Sequence, residues 1–384
     1  MKKYLLAAIL SAVFIALVGI GIIAPVMPIY ATELGASGFA LGVIVAGFSL
    51  SRGLLQPVVG GLADRHGKKR FMVAGLFIYA VMGYSYTLAT SVEHLVAVRI
   101  VHGMGSAMII PMAMAYIGDM SPRGQEGKYM GWLHISIFTG IGGGPVLGGI
   151  FLDFWGQNSA FYAMALLSLL SLILVASVLP EQIGSKTNEN QGSMLGIFRR
   201  MLYSRRVIGI LISRMSTMMI MIPTMAFLPV LMNEYMEAGG IEIGVVVASR
   251  TLVNAALQTP FGNIADRWHK HRLIFIGSTI ISIGMLGVPF GGNFINLMIL
   301  FAIIGLGESI SWPALGALAT EEGRVYGQGS MMGMFNMAMS AGLFLGAMGM
   351  GAVTDLLGIA WAFYIVALIL FLSTVVAVEL IRKA

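Results

Sequence analysis

Long unbroken apolar runs restrict this chain more than any other feature. A helix that crosses a bilayer needs about 20 mostly apolar residues, and such runs recur along the whole sequence. They fall at 5–30, 40–63, 71–90, 94–118, 129–152 and 159–179, then at 207–232, 241–264, 273–291, 294–318, 329–352 and 359–381. Strands of a membrane barrel would be shorter and would alternate in polarity. A long apolar run satisfies its backbone in lipid only as a helix. The expected fold is an all-α polytopic membrane protein with twelve transmembrane helices. Composition agrees, with 58% hydrophobic and 10% charged residues, whereas a soluble domain carries about a quarter charged residues. A soluble enzyme and a disordered chain are excluded on that ground. The chain has no Cys, which excludes thiolate catalysis, a disulfide framework and Cys-ligated metal.

Charge placement orders these spans. All but four of the 23 Lys and Arg residues lie at the N-terminus, at the C-terminus, in the central loop, or in the loops after the second, fourth, eighth and tenth spans. The intervening loops hold none. By the positive-inside rule both termini are expected in the cytoplasm, with the protein in the cytoplasmic membrane. The basic balance thus reports topology, and no nucleic-acid partner is expected. Lys2 and Lys3 would suit a signal peptide, but the apolar run from Tyr4 to Tyr30 is too long for one and is read as the first span. The only long polar stretch, around EQIGSKTNENQG, reads as a flexible linker. The expected organisation is an N-terminal six-helix bundle at 1–180, a cytoplasmic linker at 181–206 and a C-terminal six-helix bundle at 207–384.

The two halves repeat each other. Asp266 follows Asp64 by 202 positions. The same offset pairs Gln56 with Gln258, Gly60 with Gly262, Gly103 with Gly305, Gly105 with Gly307 and Pro111 with Pro313. It continues through Gly131 with Gly333, Gly144 with Gly346, Asp153 with Asp355, and Ala160-Phe161-Tyr162 with Ala362-Phe363-Tyr364. Bulk apolar composition does not align Asp and Pro positions in one gapless register. The halves are therefore expected to be pseudo-symmetric.

Four motifs stand out against this frame. After the second span the chain reads Gly60-Gly61-Leu62-Ala63-Asp64-Arg65-His66-Gly67-Lys68-Lys69-Arg70, and its mate contains Asp266-Arg267. Glycine, a carboxylate and a basic cluster suit a short hinge whose Asp accepts hydrogen bonds from a neighbouring helix N-terminus. The fifth span contains Gly140, Gly144, Pro145, Gly148 and Gly149. Small residues at this spacing let helices approach closely. The first span contains Gly19 and Pro25-Val26-Met27-Pro28, and the fourth contains Arg99, His102, Gly103, Gly105 and Ser106. The Asp64 loop resembles the signature loop of the major facilitator superfamily. The first, fourth and fifth spans are similar to motifs of its twelve-span drug/proton antiporters, with His102 standing where the fourth-span motif usually has Gln. The resemblance implies a cytoplasmic gating loop around Gly60, Asp64, Arg65, Gly67, Lys68, Asp266 and Arg267, and a proton-transfer role for Arg99.

Charges inside spans cost about 2.5–3.5 kcal/mol each on insertion scales and so default to function. Of the 17 acidic residues only Glu308 lies deep in a span. It is the repeat mate of Ser106. Arg99, His102 and Ser106 share one helical face by spacing. The resemblance implies that the first, fourth, seventh and tenth spans line the cavity, so Glu308 is expected to face it opposite Arg99 and His102. A carboxylate in apolar surroundings takes up and releases a proton near neutral pH, which suits Glu308, Arg99 and His102 to proton coupling. The plainer alternative is that Glu308 neutralises one Arg. Arg52, Arg214 and Arg250 are expected to complete a substrate cavity with Ser106 and Glu308; Arg52 and Arg250 either bind an anionic substrate group or pair with carbonyls and Glu308, and Arg214 can also snorkel. His134 is a second titratable candidate. Met-rich stretches on the seventh and eleventh spans are read as packing more than as an adaptable binding surface.

The resemblance implies a secondary active transporter of amphipathic small molecules, a proton-coupled antiporter working in efflux by alternating access. An organic-anion transporter and a lipid or glycolipid flippase on the same fold are the alternatives. No nucleophile motif, clustered His/Asp metal set or phosphate-cradling loop is present, so no enzyme activity, cofactor or metal is expected. The proton gradient is the driving force. The partners expected are the substrate, protons and membrane lipid, with the chain a monomer.

Overall fold

The computed structural model describes residues 2–36, 38–181, 194–236 and 240–383. Among them the chain is helical almost throughout and contains no strand. The first helices are α1 (Lys2–Glu33), α2 (Gly38–His66), α3 (Lys68–Tyr86), α4 (Val92–Ala107), α5 (Ile110–Met120), α6 (Glu126–Trp155) and α7 (Gln157–Val178). Next come α8 (Met194–Tyr203), α9 (Arg205–Met219), a π-helical turn (Pro223–Phe227), α10 (Leu228–Met236) and α11 (Gly240–Arg267). The last are α12 (Lys270–Gly287), a 3-10 turn (Val288–Phe290), α13 (Phe294–Tyr326), α14 (Gln328–Leu357) and α15 (Ile359–Arg382).

Ten helical stretches among the described residues are long and apolar enough to cross a membrane. The other two expected spans are helical as α3 and α11 but are more polar over their length. Lys68, Lys69 and Arg70 open α3, whereas α11 contains Glu242, Arg250, Asp266 and Arg267. The fourth expected span is divided into α4 and α5. Pro111 lacks the N–H that would bond one turn back, and just before it Met108 and Ile109 bond to Gly105 and Ser106 in tighter turns. The linker differs from a uniformly flexible segment. Residues 182–193 lie outside the described residues, while Met194–Tyr203 forms α8. Ile197 and Met201 of α8 are buried, and Leu195, Leu202 and Tyr203 are exposed.

The chain forms two compact units. Unit 1 comprises Met1–Met120, Leu133–Gln191 and Gly323–Met337, and unit 2 comprises Ser121–Trp132, Gly192–Glu322 and Ala338–Ala384. In unit 1, α7 packs on α1 and α3, and α4 packs on α2 and α3. Buried polar side chains pin these helices: Ser171 donates to the Ala12 carbonyl at 2.8 Å and Tyr30 to the Ala89 carbonyl at 2.7 Å. The approach of α6 to α1 leaves no room for a side chain. A Cβ on Gly144 would stand 2.4 Å from the Gly21 Cα, and one on Gly148 would stand 2.1 Å from the Ile22 carbonyl oxygen. Of the other motif positions on α6, Gly140 also faces α1, Gly149 faces open space, and the helix continues through Pro145. In unit 2, α15 packs on α9 and α12. An apolar core there includes Ile220, Leu228, Met285, Phe301 and Phe363.

Candidate functional site

The Asp64 loop is built as a helix-capping joint. Helix α2 ends at His66, Gly67 turns with φ +99°, and α3 starts at Lys68. This places the Asp64 carboxylate at the first turn of α14. Its two oxygens accept the backbone N–H groups of Gly329 and Ser330, each at 2.7 Å. Orphan donors and the positive end of the helix dipole make such a turn an anion site. Gly60 sits where α2 and α14 meet, and a Cβ there would stand 2.1 Å from the Gly329 carbonyl oxygen.

Unit 2 repeats the joint in register. Asp266 accepts from Gly127 at 2.7 Å and Lys128 at 3.0 Å, and these two residues are the repeat mates of Gly329 and Ser330. Burial pushes the Asp266 carboxyl above the usual range, and the two N–H donors pull it back. Each joint carries an ion pair. Lys68, almost fully buried, reaches Asp119 at 2.8 Å and Asp64 at 3.6 Å. Its mate Lys270 reaches Glu321, the mate of Asp119, at 3.0 Å. Arg65 and Arg267 stand exposed beside these joints. Sequence reasoning missed the Lys68–Asp119 and Lys270–Glu321 pairs, although the 202-residue offset contained both.

The interior polar groups of unit 1 form an aromatic cluster. The Arg99 guanidinium lies over the rings of Phe48 at 5.6 Å and Tyr86 at 5.8 Å. The Tyr86 hydroxyl is 2.9 Å from Nδ1 of His102, and the Tyr79 ring packs edge-on against the imidazole at 4.4 Å. Arg99 and His102, expected on one face, thus meet at Tyr86. His102 and Ser106 are fully buried, and Arg52 is half-buried. His134 is buried on α6 near Phe138.

In unit 2 the interior groups form an ion pair. Nε of Arg250 donates to both Glu308 oxygens at 3.1 Å, and its Nη2 also bonds Oε1. Asn254 donates to Oε2 at 2.9 Å, and Gln258 donates to Asn254 at 2.6 Å. The rest of the guanidinium is held by the Thr224 hydroxyl and by the Met221 sulfur at 3.1 Å. Pro223 opens the π-helical turn that carries Thr224. Glu308 and Arg250 are 1% and 4% exposed, so the pair is shut away from solvent. This is the arrangement of the plainer alternative, in which Glu308 neutralises one Arg: the partners of its carboxylate are Arg250 and Asn254. Both lie on α11, one turn apart, facing α13. Arg214 does not snorkel. It is buried, donates to the Met339 sulfur at 3.1 Å, and lies over the Trp312 ring at 5.7 Å. The roles of Asn254, Gln258 and Thr224 were missed because neutral polar residues carry no charge signal in an apolar run. Among the described residues no cluster of His, Asp and Glu could hold a metal ion.

Two joints in one internal register agree with what the whole sequence matches. The profile of the Major Facilitator Superfamily covers residues 9–237 and 206–383. The chain belongs to this superfamily. It is 34% identical to an uncharacterized MFS-type transporter of Methanocaldococcus jannaschii, over 90% of each chain. It is 26% identical to multidrug resistance protein 1 of Bacillus subtilis, over 92% of this chain and 91% of that one. Quinolone resistance protein NorA of Staphylococcus aureus matches 46% of this chain and 45% of its own at 31% identity. In three dimensions the chain is similar to the human organic anion transporter MFSD10 (TETRAN). The TM-score is 0.83, with 98% of this chain and 99% of that chain covered at 14% identity. The chain is thus a multi-pass membrane transporter of the superfamily, resembling its drug/proton antiporters. The family and these relatives are transporters rather than enzymes.

Proposed function

We propose that this protein is a proton-coupled antiporter that exports amphipathic small molecules across the cytoplasmic membrane by alternating access, with both termini cytoplasmic. The observation that carries the reading is the buried Arg250–Glu308 pair. A charged Glu308 is held by three donor groups, and its protonation removes the attraction that fixes Arg250. A proton therefore changes the bonding of α11 to α13 at the depth where a substrate would pass. An ion pair buried in this way is weak evidence for stability but well suited to a switch. The second requirement is a joint that can open. The Asp64 and Asp266 carboxylates each rest on two backbone N–H groups, bonds that form or break as a unit. Opening the cytoplasmic side, in this reading, releases both and lets the halves 1–180 and 207–384 rock about a midplane site. No cofactor is needed, because the proton gradient supplies the drive, and the monomer is the working unit. Similarity to multidrug resistance protein 1 supports the substrate class.

A second reading, organic-anion transport, is favoured by Arg99. Among the described residues its guanidinium has aromatic partners and no carboxylate, so an anionic group on a substrate would complete it.

The test is proton flux in proteoliposomes that enclose a pH-sensitive dye under an imposed pH gradient. Lipophilic cations, neutral amphiphiles and organic anions are added in turn, with Glu308→Gln as control. Substrate-triggered flux in the direction opposite to substrate, lost in Glu308→Gln, supports antiport. Flux in the same direction with organic anions moves the assignment to anion symport. Full coupled activity in Glu308→Gln removes Glu308 from the mechanism.

A further inference from the structure

The repeat offers an internal control for one surface feature of unit 1. Between α3 and α7 lies an open groove of roughly 560 Å³. Val73, Ala74 and Phe77 line it from α3, and Leu172 and Ala176 from α7. Lys69 and Arg70 stand at one end. In the other repeat three of these positions are larger, whereas Phe77 and Leu172 give way to the smaller Thr279 and Thr374. Ala74 corresponds to Ile276, Ala176 to Val378, and Val73 to Phe275. Phe275 also meets Phe371 of α15 at 6.4 Å between ring centroids. Two alanines thus line the groove in unit 1 where the other repeat carries Ile276 and Val378. Unfilled apolar surface of this size has to be covered, and the volume lies within the ~300–1,000 Å³ of sites that hold one small ligand.

Charge and length identify the occupant. Arg70 is only loosely neutralised, 3.6 Å from Glu181 with its side chain 69% exposed. Lys69 has no carboxylate partner among the described residues. The groove end is thus net positive. From Lys69 to Phe77 the chain climbs eight residues of helix, or about 12 Å, close to the half-thickness of a hydrocarbon core of about 30 Å. We propose that this groove binds one anionic phospholipid, its phosphate at Lys69 and Arg70 and one acyl chain along Val73, Phe77 and Ala176. The site is independent of the proton pathway, because neither Arg250 nor Glu308 contributes to it. Basic clusters at membrane-span ends attract anionic headgroups through the same electrostatics.

The experiment is native mass spectrometry of the purified full-length protein. Phosphatidylglycerol and phosphatidylcholine with identical acyl chains are supplied separately. Phosphatidylglycerol should be retained more strongly, by about fivefold for each basic residue engaged. Lys69→Gln with Arg70→Gln, both at the helix end, should erase that preference and leave the fold intact. Ala74→Ile with Ala176→Val should reduce retention of phosphatidylglycerol to the phosphatidylcholine level. These side chains are the ones the other repeat accommodates, and an unchanged melting temperature confirms folding. Equal retention of the two lipids by the unsubstituted protein overturns the proposal, as does undiminished retention once the groove is filled.

Discussion

The two repeats agree at one level of the molecule and diverge at another. At the joints the chemistry is duplicated position for position. Asp64 and Asp266 cap helix starts, Gly60 and Gly262 allow the close crossings, and Lys68 and Lys270 pair with Asp119 and Glu321. In the interior the same register exchanges residue types. Phe48 becomes Arg250, Arg52 becomes Asn254, and Ser106 becomes Glu308, while Arg99 becomes Phe301 and His102 becomes Ile304. Unit 1 thus holds a cation among aromatic rings and unit 2 holds a cation on a carboxylate. A duplicated joint suits two halves that perform the same movement. An exchanged interior suits halves with different tasks.

The largest effect should come from the interior. Glu308→Gln should leave a folded protein with proton-coupled transport reduced to background, whereas His102→Ile, which installs the residue of the other repeat, should retain most of it. Parallel dye-flux traces check both, and equal losses would erase the distinction between the two interiors. Next in size is a difference between the two Lys pairs. Lys68→Met leaves Asp119, 28% exposed, and Asp64, 10% exposed, without their shared cation and should cost about 1–3 kcal/mol, less than a fully buried pair. Lys270→Met, with its side chain 15% exposed and Glu321 also bound by Arg206, should cost about 1 kcal/mol or less. Detergent melting curves of the two variants measure the gap.

A smaller and symmetric effect is expected at the caps. Asp64→Asn and Asp266→Asn each replace one charge-assisted acceptor, a loss of about 1–2 kcal/mol. Each should slow turnover by roughly tenfold while substrate affinity changes little. Initial-rate and equilibrium-binding measurements separate the two quantities. A strongly unequal pair of rates would show that the joints, alike in bonding, differ in use. Smallest of all is Gly149→Ala, which meets open space and should be neutral or slightly stabilising. Gly144→Ala, against the Gly21 backbone, should reduce the yield of folded protein in the same expression trial.

Much of this was legible without coordinates, and the reasons are specific. Asp64 beside a helix start followed from glycine, carboxylate and hinge spacing, because capping is local chemistry. The close approach of the fifth span followed from Gly140, Gly144 and Gly148 at four-residue intervals, although only packing distinguishes Gly148 from Gly149. The partner of Glu308 was legible only as a choice between Arg52 and Arg250. Helical spacing says which residues share a face of one helix, but not which Arg on another helix that face meets. The break before Pro111 is equally instructive, since its mate Pro313 lies inside the continuous α13. Identical residues at matching positions left the local backbone to be decided by what packs around it.

The sequence by itself determined that the chain is helical, membrane-spanning and internally repeated. Each of these rests on a property summed over many residues: apolar length, the positions of basic loops, and one register repeated along both halves. Only the tertiary structure decided that Glu308 belongs to Arg250 and Asn254, that Arg99 lies against Phe48 and Tyr86, and that Ala74 and Ala176 leave a groove open. Those outcomes depend on a few ångströms of approach between helices distant in sequence, and in a low-dielectric interior such distances decide which charge neutralises which.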